Sequence, residues 1–415
     1  MHILLIHQAF AALDEAGGTR HFEMACYLAD HGHKVTIISS PVSYLTGKPR
    51  GIKIPWIEKQ EVRPGVTILR TYTYPALHRS FSHRVLGFLS FMVSSFSAGI
   101  RVKKVDLIWG TSPPIFQGIT AWLLAKLKGI PFLFEVRDLW PEFAIAIGVL
   151  RNPILIKASL WLELFLYRHA DRMVVNSPGF VEHVRQRGAR HIELIPNGAD
   201  PAMFDPKAGG QSIRRCYGLD GKFIVLYAGA HGLSNDLGIV LQAADQLRTD
   251  ESIRIVFVGD GKEKPALLAQ AKEMNLENVL FLSPVPKTEM CSMLAAADAC
   301  IAILKPIELY KTTYPNKVFD YMAAGRPVIL AIDGVIKELV ESAGAGLAVE
   351  PGNPKALACA IQQLSANRGQ ARALGLAGRT YIERFYNRAH FSKKFALVLE
   401  DVGRSYDRKN SGRRR

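Results

Sequence analysis

One short segment, YKTTYPNKVFDYMAAGRPVI (310–329), places lysine, asparagine and aspartate around the start of a predicted helix. The helix is expected to begin near Asn316, shortly after an apolar run that is typical of a strand. Unpaired N–H groups at a helix start attract anions, and Lys311 and Lys317 add positive charge there. Asp320, one turn into the helix, is placed to accept hydrogen bonds from vicinal hydroxyls of a ribose. The segment therefore predicts a site for a nucleoside diphosphate.

Two glycine-containing loops in the same half of the chain have a similar setting. YAGAHGLSND (227–236) and VGDGKEK (258–264) each follow an apolar strand and lead into a helix. Either loop alone is a weak signal, but loops at the carboxyl ends of parallel strands open on one edge of the sheet. Together they favour a phosphate-rich ligand. The residues that we expect at this ligand are Gly229, His231, Gly232, Gly259 and Gly261.

A third loop, in AGGTRHFEMACYL (16–28), lies between the first strand and the first helix. Gly17 and Gly18 would let backbone N–H groups meet an anion or a sugar at the helix start. The alternative is a flexible loop that only starts a helix. The spacing is not Gly-x-Gly-x-x-Gly, so a nicotinamide site is not supported.

Charged side chains also follow a buried strand in EVRDLWPE (135–142). Carboxylates placed there cost free energy unless they are paired or hydrated. Glu135, Arg137 and Asp138 are therefore candidate catalytic residues at the edge of a sheet. The alternative is that Arg137 and Asp138 satisfy each other at the strand end.

Composition indicates a globular protein of more than one domain. The chain has 415 residues, 48% of them hydrophobic and 21% charged, and this length exceeds one typical core. Five cysteines are scattered without a Cys-x-x-Cys pair, which favours a reducing cytosol over a disulfide framework or a zinc site. The start, MHILLIHQAF, reads as a strand and not as a signal peptide.

Charge is unevenly distributed along the chain. The net charge of +15 divides into +8 over residues 1–200, +2 over 201–403 and +5 over 404–415. A basic first half indicates an anionic partner such as a nucleic acid, an acidic lipid or a phosphorylated ligand. Basic residues are not interleaved with aromatic ones as in nucleic-acid modules, so we expect no nucleic-acid partner.

Apolar runs alternate with helical stretches in two series, which predicts an α/β fold with two Rossmann-like, doubly wound domains facing across a cleft. The first series has seven strands and the second has six, and a periplasmic-type binding protein would share this pattern but normally carries a signal peptide. The predicted domains are 1–200 and 201–369, helices over 370–403 that pack back on the first domain, and a basic disordered tail over 404–415.

The chain resembles glycosyltransferase family 4, a retaining group with the two-lobed GT-B fold, over nearly its whole length. The resemblance is carried by the three loops above, by FEVRDLWPE, by ELIPNGAD and by PNKVFDYMAAGRPVI. FEVRDLWPE resembles a bacterial branch that builds O-antigen, lipopolysaccharide and capsule, including transferases of amino sugars such as N-acetyl-L-fucosamine.

This resemblance implies a nucleotide-sugar donor, UDP-linked, in the second domain and a saccharide on a polyprenyl diphosphate as acceptor in the first. Asp320 stands where the second Glu of the family's Glu-x7-Glu motif contacts ribose. The amides of Asn316, Lys317 and Val318 would hold the diphosphate, and Pro284 and Val285 would face the base. Asn197 is grouped with Gly17 and Gly18 as a loop for the acceptor or a phosphate.

The chain departs from the family pattern at catalytic positions. The first Glu of the motif falls at Thr312, and the basic pair that usually follows the YAG-type strand is replaced by His231 and Asp236. No Asp-x-Asp pair is present, so we expect neither a metal nor a cofactor besides the nucleotide-sugar co-substrate. The helix start and lysines would stabilise the leaving diphosphate, and Asp138 or Glu135 would orient or deprotonate the acceptor.

The segment RVLGFLSFMVSSFSAGIR (84–101) bears on the membrane. As a helix its uncharged part is ~24 Å long, which is short of a ~30 Å hydrocarbon core. It is either a helix packed on the first sheet or an interfacial helix on the anionic inner face of the cytoplasmic membrane. A lipid-linked acceptor favours the second reading and a cytoplasmic, peripheral location.

Two other functions share this architecture. A UDP-sugar 2-epimerase of GT-B shape would act without an acceptor. A degenerate GT-B scaffold would only bind, which Thr312 in place of the first Glu permits.

Overall fold

The predicted alternation of strands and helices is present in the computed structural model, which describes residues 1–75, 79–206 and 208–413. The chain forms two compact units. The first contains Met1–Ala12, Gly18–Pro196 and Ala389–Arg415, and the second contains Leu13–Gly17 and Asn197–Arg388. The chain thus passes into the second unit at Asn197, near the predicted boundary at 200.

The first unit is built on an eight-stranded sheet in the order β3-β4-β2-β1-β5-β6-β7-β8. All neighbours are parallel except β3, which pairs with β4 in the antiparallel direction. The strands are β1 (His2–Ile6), β2 (Lys34–Ser39), β3 (Ile57–Arg63), β4 (Val66–Thr71), β5 (Leu107–Ser112), β6 (Phe132–Val136), β7 (Arg172–Val175) and β8 (Ile192–Leu194).

Strand β3 is the one strand that the apolar pattern missed. Its sequence, IEKQEVR, is mostly exposed at the sheet edge, so it lacks the buried run that marks the other strands. A turn at Gly65, which has φ of 84°, joins it to β4.

In the described part of the first unit, six helices lie between these strands. They are α1 (Arg20–Asp30), α2 (Phe81–Arg101), α3 (Phe116–Lys128), α4 (Glu142–Ala146), α5 (Pro153–His169) and α6 (Val181–Gln186). Ser80 caps α2, and Asn152 caps α5 through the amides of Ile154 and Leu155.

The second unit has a six-stranded, wholly parallel sheet in the order β11-β10-β9-β12-β13-β14. The strands are β9 (Phe223–Ala228), β10 (Ile253–Val258), β11 (Val279–Leu282), β12 (Ala299–Ile303), β13 (Val328–Ala331) and β14 (Gly346–Ala348). The helices are α7 (Gln211–Cys216), α8 (Leu237–Gln246), α9 (Lys264–Glu273), α10 (Lys287–Ala296), α11 (Asn316–Ala323), α12 (Val335–Ser342), α13 (Pro354–Ala366) and α14 (Arg368–Phe385).

The C-terminal helices divide between the two units, which differs from the prediction that residues 370–403 all pack on the first domain. Helix α14 packs on α11 in the second unit, where a side chain at Gly375 would collide with the carbonyl oxygen of Gly325. Arg379 donates to the carbonyl oxygens of Phe204 and Ala323. These contacts depend on small residues far apart in sequence, so the helical pattern alone could not assign α14.

Only the last helix, α15 (Arg388–Arg413), joins the first unit. Phe395 packs against Trp109 of β5 at a centroid distance of 4.5 Å, and Asp401 pairs with Arg172 of β7 at 2.5 Å. The helix continues to Arg413, so the predicted disorder of 404–415 is corrected over most of that segment. The helical turns that contain Phe395 and Asp401 pack on the first unit and precede the polar C-terminal residues. Because these turns are already formed, extending the helix through the polar residues avoids the free-energy cost of nucleating a new helix.

No helix within residues 1–75, 79–206 and 208–413 is long and apolar enough to cross a membrane.

Candidate functional site

The start of α11 lies where the sequence predicts it, at Asn316. Pro315 precedes the helix and gives no side-chain cap, so the first turn keeps backbone donors that no capping side chain occupies. The phenol of Tyr321 donates to the carbonyl oxygen of Ala228 at 3.0 Å and accepts from the Ala228 amide at 2.9 Å. These bonds fix α11 against the carboxyl end of β9, which brings two predicted site segments together.

Lys317 places a half-buried cation at this edge of the sheet. Its ammonium donates to the Tyr227 hydroxyl at 2.7 Å and to Asn235 Oδ1 at 3.4 Å, and it lies 4.0 Å from the Tyr227 ring centroid. Among the described residues it forms no ion pair with a carboxylate. Burial lowers the pKa of Lys317 to about 7. A cation that is desolvated without a counterion is stabilised by an incoming anion.

The loop over 227–236 contacts this lysine and the loop over 258–264 packs on that loop, so close protein packing already explains some of the glycines. A Cβ at Gly229 would lie 3.0 Å from Lys317 Nζ. A Cβ at Gly259 would lie 1.9 Å from the Gly229 carbonyl oxygen, and one at Gly261 would lie 2.4 Å from that of His231. Gly232 has an ordinary φ of −109°. Gly259 and Gly261 are therefore required for loop packing, whatever they contribute to a ligand.

His231 is fully buried and makes its hydrogen bonds through its backbone. Its amide donates to the Asp260 carbonyl oxygen at 2.8 Å, whereas neither ring nitrogen has a partner among the described residues. Burial, followed by Lys264 and Lys317, lowers the pKa of His231 to about 4. The imidazole is therefore neutral and cannot replace the positive charge of the basic pair that the family pattern places here.

Asp320 is buried and already paired. Lys287, the first residue of α10, contacts Asp320 Oδ2 at 2.5 Å, and Asn316 Nδ2 lies 3.3 Å from the same oxygen. Asp320 Oδ1 has no partner among the described residues. The predicted ribose contact could use this second oxygen. Pro284 and Val285 lie in the half-buried loop that leads from β11 to Lys287.

Lys311 does not join this cluster through any described contact. It is exposed and pairs with Glu308 at 2.7 Å inside a short 3₁₀ helix, Glu308–Thr312. The neighbouring carboxylate offsets its charge, so the structure gives less support to the predicted role of Lys311 than to that of Lys317.

Asn197 has a structural role in the second unit. Its side chain donates to the Tyr314 carbonyl oxygen at 3.1 Å, which holds the loop before α11. Arg388 donates to the Asn197 and Gly198 carbonyl oxygens at 3.2 and 2.7 Å. Asn197 was predicted to contact an acceptor or phosphate, and these bonds associate it with the loop before α11.

Gly17 and Gly18 lie in an exposed loop before α1. Gly17 has a φ of 150°, and a Cβ at Gly18 would have no protein atom within 4 Å. Packing therefore does not explain the glycine at 18.

In the first unit, Glu135 is fully buried as the penultimate residue of β6. It pairs with Arg20 at 3.0 Å and with His21 at 2.8 Å, and Trp109 Nε1 donates to it at 3.0 Å. Although burial opposes ionisation, Arg20 and His21 hold the pKa of Glu135 at about 2. Such a carboxylate is a poor base, so the geometry favours a positioning role for Glu135 over proton abstraction from the acceptor.

Arg137 and Asp138 differ from the pairing that the sequence left open. Arg137 donates to Thr111 Oγ1 at 2.9 Å and to the Pro113 carbonyl oxygen at 2.7 Å, which anchors the loop. Asp138 is half-buried and has no side-chain hydrogen bond or ion pair with a described residue. Burial, opposed by Arg137, raises the pKa of Asp138 to about 6. Asp138 is therefore the better base candidate near neutral pH.

His7, at the end of β1, was not singled out from the sequence. It is fully buried, neither ring nitrogen has a described partner, and its ring lies 4.3 Å from that of His21 between centroids. Burial, followed by Arg137, lowers its pKa well below the usual range. A histidine after a single apolar strand gives no sequence signal of this position.

Two family models match the chain, one in each half. The model described as "Glycosyl transferase 4-like domain" matches residues 16–198, and the one described as "Glycosyl transferases group 1" matches residues 222–367. They divide the chain at the junction between its two units.

Curated relatives and solved structures are similar over most of the chain. The "Putative colanic acid biosynthesis glycosyl transferase WcaI" of Escherichia coli is 26% identical, over 82% of this chain and 86% of its own length. The "Probable glycosyltransferase WbjE" of Pseudomonas aeruginosa is 23% identical, over 73% of this chain and 76% of its own.

Sucrose-phosphate synthase of Thermosynechococcus elongatus superposes with a TM-score of 0.77 at 21% identity, over 97% of this chain and 99% of that one. Anabaena HepE, in complex with UDP and glucose, gives a TM-score of 0.72 at 17% identity, over 97% and 100%. With two Rossmann-like units and a family match in each, the protein is a glycosyltransferase of the GT-B fold.

Proposed function

We propose that this glycosyltransferase moves a sugar, with an N-acetylated amino sugar as the expected one, from a UDP-sugar to a lipid-linked saccharide in the synthesis of a cell-surface polysaccharide such as O-antigen. It works from the cytoplasm at the inner face of the membrane. The observation that carries the donor assignment is Lys317, a half-buried lysine whose ammonium has no described carboxylate partner.

The contacts around Lys317 fit a diphosphate. The ammonium, the uncapped first turn of α11 and the loop at Gly229 adjoin the carboxyl end of β9. A diphosphate there would gain hydrogen bonds from backbone amides and an ion pair with Lys317. These groups would also stabilise the charge that develops on the leaving diphosphate, which is electrostatic catalysis. Asp320 Oδ1, which is buried and has no partner among the described residues, is the oxygen that we assign to a ribose hydroxyl.

The choice of UDP and of a polysaccharide pathway comes from the relatives. HepE was solved with UDP, and WcaI is named for colanic acid biosynthesis. On the acceptor side, Asp138 is the group that we assign to orienting or deprotonating the attacking hydroxyl. Its pKa of about 6 leaves it ionised at neutral pH.

The test is a transfer assay with a panel of UDP-sugars and lipid-linked saccharides, read by mass spectrometry. A lipid product heavier by one amino-sugar residue is expected, with GDP- and dTDP-sugars inactive. Donor alone gives no isomerised UDP-sugar, whereas an isomer would indicate the epimerase. Binding of UDP with neither transfer nor donor hydrolysis would indicate the scaffold, and failure to bind any nucleoside diphosphate would refute the donor assignment.

A further inference from the structure

A cavity of about 680 Å³ lies in the first unit along the β1-β2-β4-β3 part of the sheet, and it extends from His2 and Lys34 at the amino ends of β1 and β2 to Ile57 at the start of β3. One wall is formed by β2, β3 and β4, and the other by the end of α2 and the residues that follow it. In parallel α/β sheets the catalytic edge is formed by the carboxyl ends of the strands. The part of the cavity at His2 and Lys34 therefore lies toward the edge opposite Asp138, and we call the whole cavity the basic pocket.

Five basic side chains line the basic pocket: Lys34, Lys59, Arg101, Lys103 and Lys104. None of them pairs with a carboxylate within the described ranges, and no carboxylate lines the pocket. The nearby Asp106 accepts from the His2 amide at 2.6 Å. His2 also lines the pocket, and burial followed by repulsion from Lys34 lowers its pKa. The pocket thus combines concave shape with uncompensated positive charge, which suits a phosphate-bearing ligand.

An exposed apolar ridge on α2 leads to this pocket. Leu86, Leu89, Val93 and Ile100 are 51%, 45%, 63% and 49% exposed, and their spacing places them along one side of the helix. Lys128 donates to the carbonyl oxygens of Ile100 and Val102, at 3.2 and 2.8 Å, which ends α2 beside the basic residues.

The ridge and the pocket together decide between possible ligands. A soluble phosphate compound would use the pocket but not the ridge. An anionic phospholipid has both a phosphate and acyl chains, and a bilayer would bury the ridge while the headgroup meets the lysines.

We infer that the basic pocket binds the phosphate headgroup of an anionic lipid while the α2 ridge lies in the same leaflet. This deepens the membrane contact proposed above and rests on it. The start of α2 lies near the catalytic edge, since Gln8 Nε2 reaches the Gly87 carbonyl oxygen at 3.5 Å and Tyr44 interacts electrostatically with both Arg84 and Asp138. A bilayer along α2 would therefore run from the headgroup pocket toward the Asp138 edge, where a lipid-linked acceptor is needed.

Flotation of the full chain with vesicles tests this inference. We compare phosphatidylcholine vesicles with vesicles that also contain phosphatidylglycerol, and expect binding to the second kind only. Lys103→Gln/Lys104→Asn should lower that affinity about thirtyfold, at ~1 kcal/mol per basic residue. Asn is chosen because Lys104 has a φ of 53°. Lys59→Gln provides a second pocket variant, and Val93→Ser tests the ridge.

The matched control is Lys272→Gln/Lys355→Gln, which removes the same charge from exposed sites of the second unit and should leave vesicle binding unchanged. Equal binding by pocket variants and control would overturn the inference. So would saturable binding of inorganic phosphate without vesicle binding, which would indicate a soluble ligand. Titration with UDP in the absence of vesicles keeps the two proposals separate. The pocket variants should bind UDP as the wild type does. Failure of the wild type to bind UDP would refute the donor site and leave the lipid site untouched.

Discussion

Lys287 and Asp320 form a buried ion pair, with Nζ and Oδ2 2.5 Å apart and the two side chains 6% and 10% exposed. The pair joins the first residue of α10 to the middle of α11, 33 residues later in the chain. Asp320 was selected from the sequence as a ribose ligand, but its first partner is a lysine that the sequence did not indicate. The same carboxylate can therefore serve both the fold and the ligand.

The first prediction separates these two roles. Lys287→Met should lower the free energy of unfolding by roughly 3–5 kcal/mol, because it leaves the Asp320 carboxylate buried without its partner. Asp320→Asn should also lower the free energy of unfolding, and the protein that remains folded should bind UDP more weakly than the wild type does. Urea denaturation and calorimetric titration measure the two effects. Unchanged UDP affinity in Asp320→Asn would make Asp320 purely structural.

The second prediction concerns the charge on Lys317. With a pKa of about 7, the free lysine loses its proton above that pH, whereas a bound diphosphate favours the protonated form. UDP affinity should therefore be highest below pH 7 and fall by up to tenfold per pH unit above it. Lys317→Met should weaken UDP binding and remove this pH dependence, while uridine binding changes little.

Lys311→Met is the matched control for Lys317→Met, since Lys311 is exposed and paired with Glu308. It should leave the pH profile intact. A flat profile in the wild type, or an equal loss of UDP binding in both variants, would contradict the assignment of the diphosphate to Lys317.

The third prediction separates Asp138 from Glu135. If ionised Asp138 activates the acceptor, the transfer rate should rise as the pH increases through about 6, and Asp138→Asn should lower the rate 100-fold or more, the order expected for loss of a general base. Glu135→Gln should act mainly on stability, because it breaks the pairs with Arg20 and His21. Near-full turnover in both variants, with unchanged acceptor affinity, would remove both residues from the mechanism.

The sequence predicted those structural features that depend on residues close together in the chain. The start of α11 at Asn316 follows from Pro315 and the apolar run before it, and the two parallel sheets follow from buried apolar strands. These properties depend on neighbouring residues, so the sequence predicts them well.

The features that the sequence missed depend on contacts between distant segments. No sequence pattern around Lys287 predicts its ion pair with Asp320. Glu135 looked like an active-site carboxylate because it is charged and follows a strand, yet Arg20 and His21, more than 110 residues earlier, satisfy it in the core. Strand β3 was missed for the opposite reason, since it lies at an exposed edge and lacks an apolar run.

The last prediction concerns a cluster beneath the Asp138 loop. His183 contacts Glu142 at 3.1 Å and Glu163 at 2.9 Å, and Arg187 pairs with both carboxylates. Glu142, Glu163 and His183 lie close enough together to be metal ligands. However, both ring nitrogens of His183 already contact these carboxylates. Despite the opposing effect of burial, hydrogen bonds to Glu142 and Glu163 raise the pKa of His183.

Because the folded state holds this proton more tightly than the unfolded state, the stabilisation is fully present below the unfolded pKa of about 6.5 and is lost as the pH rises through the higher folded value. The difference in unfolding free energy between the wild type and His183→Leu should therefore be largest near pH 5.5 and smaller near pH 8.5. Urea denaturation at both values measures it. A difference that does not change with pH would mean that His183 acts by packing alone, and a difference that grows with pH would contradict the assigned ion pairs.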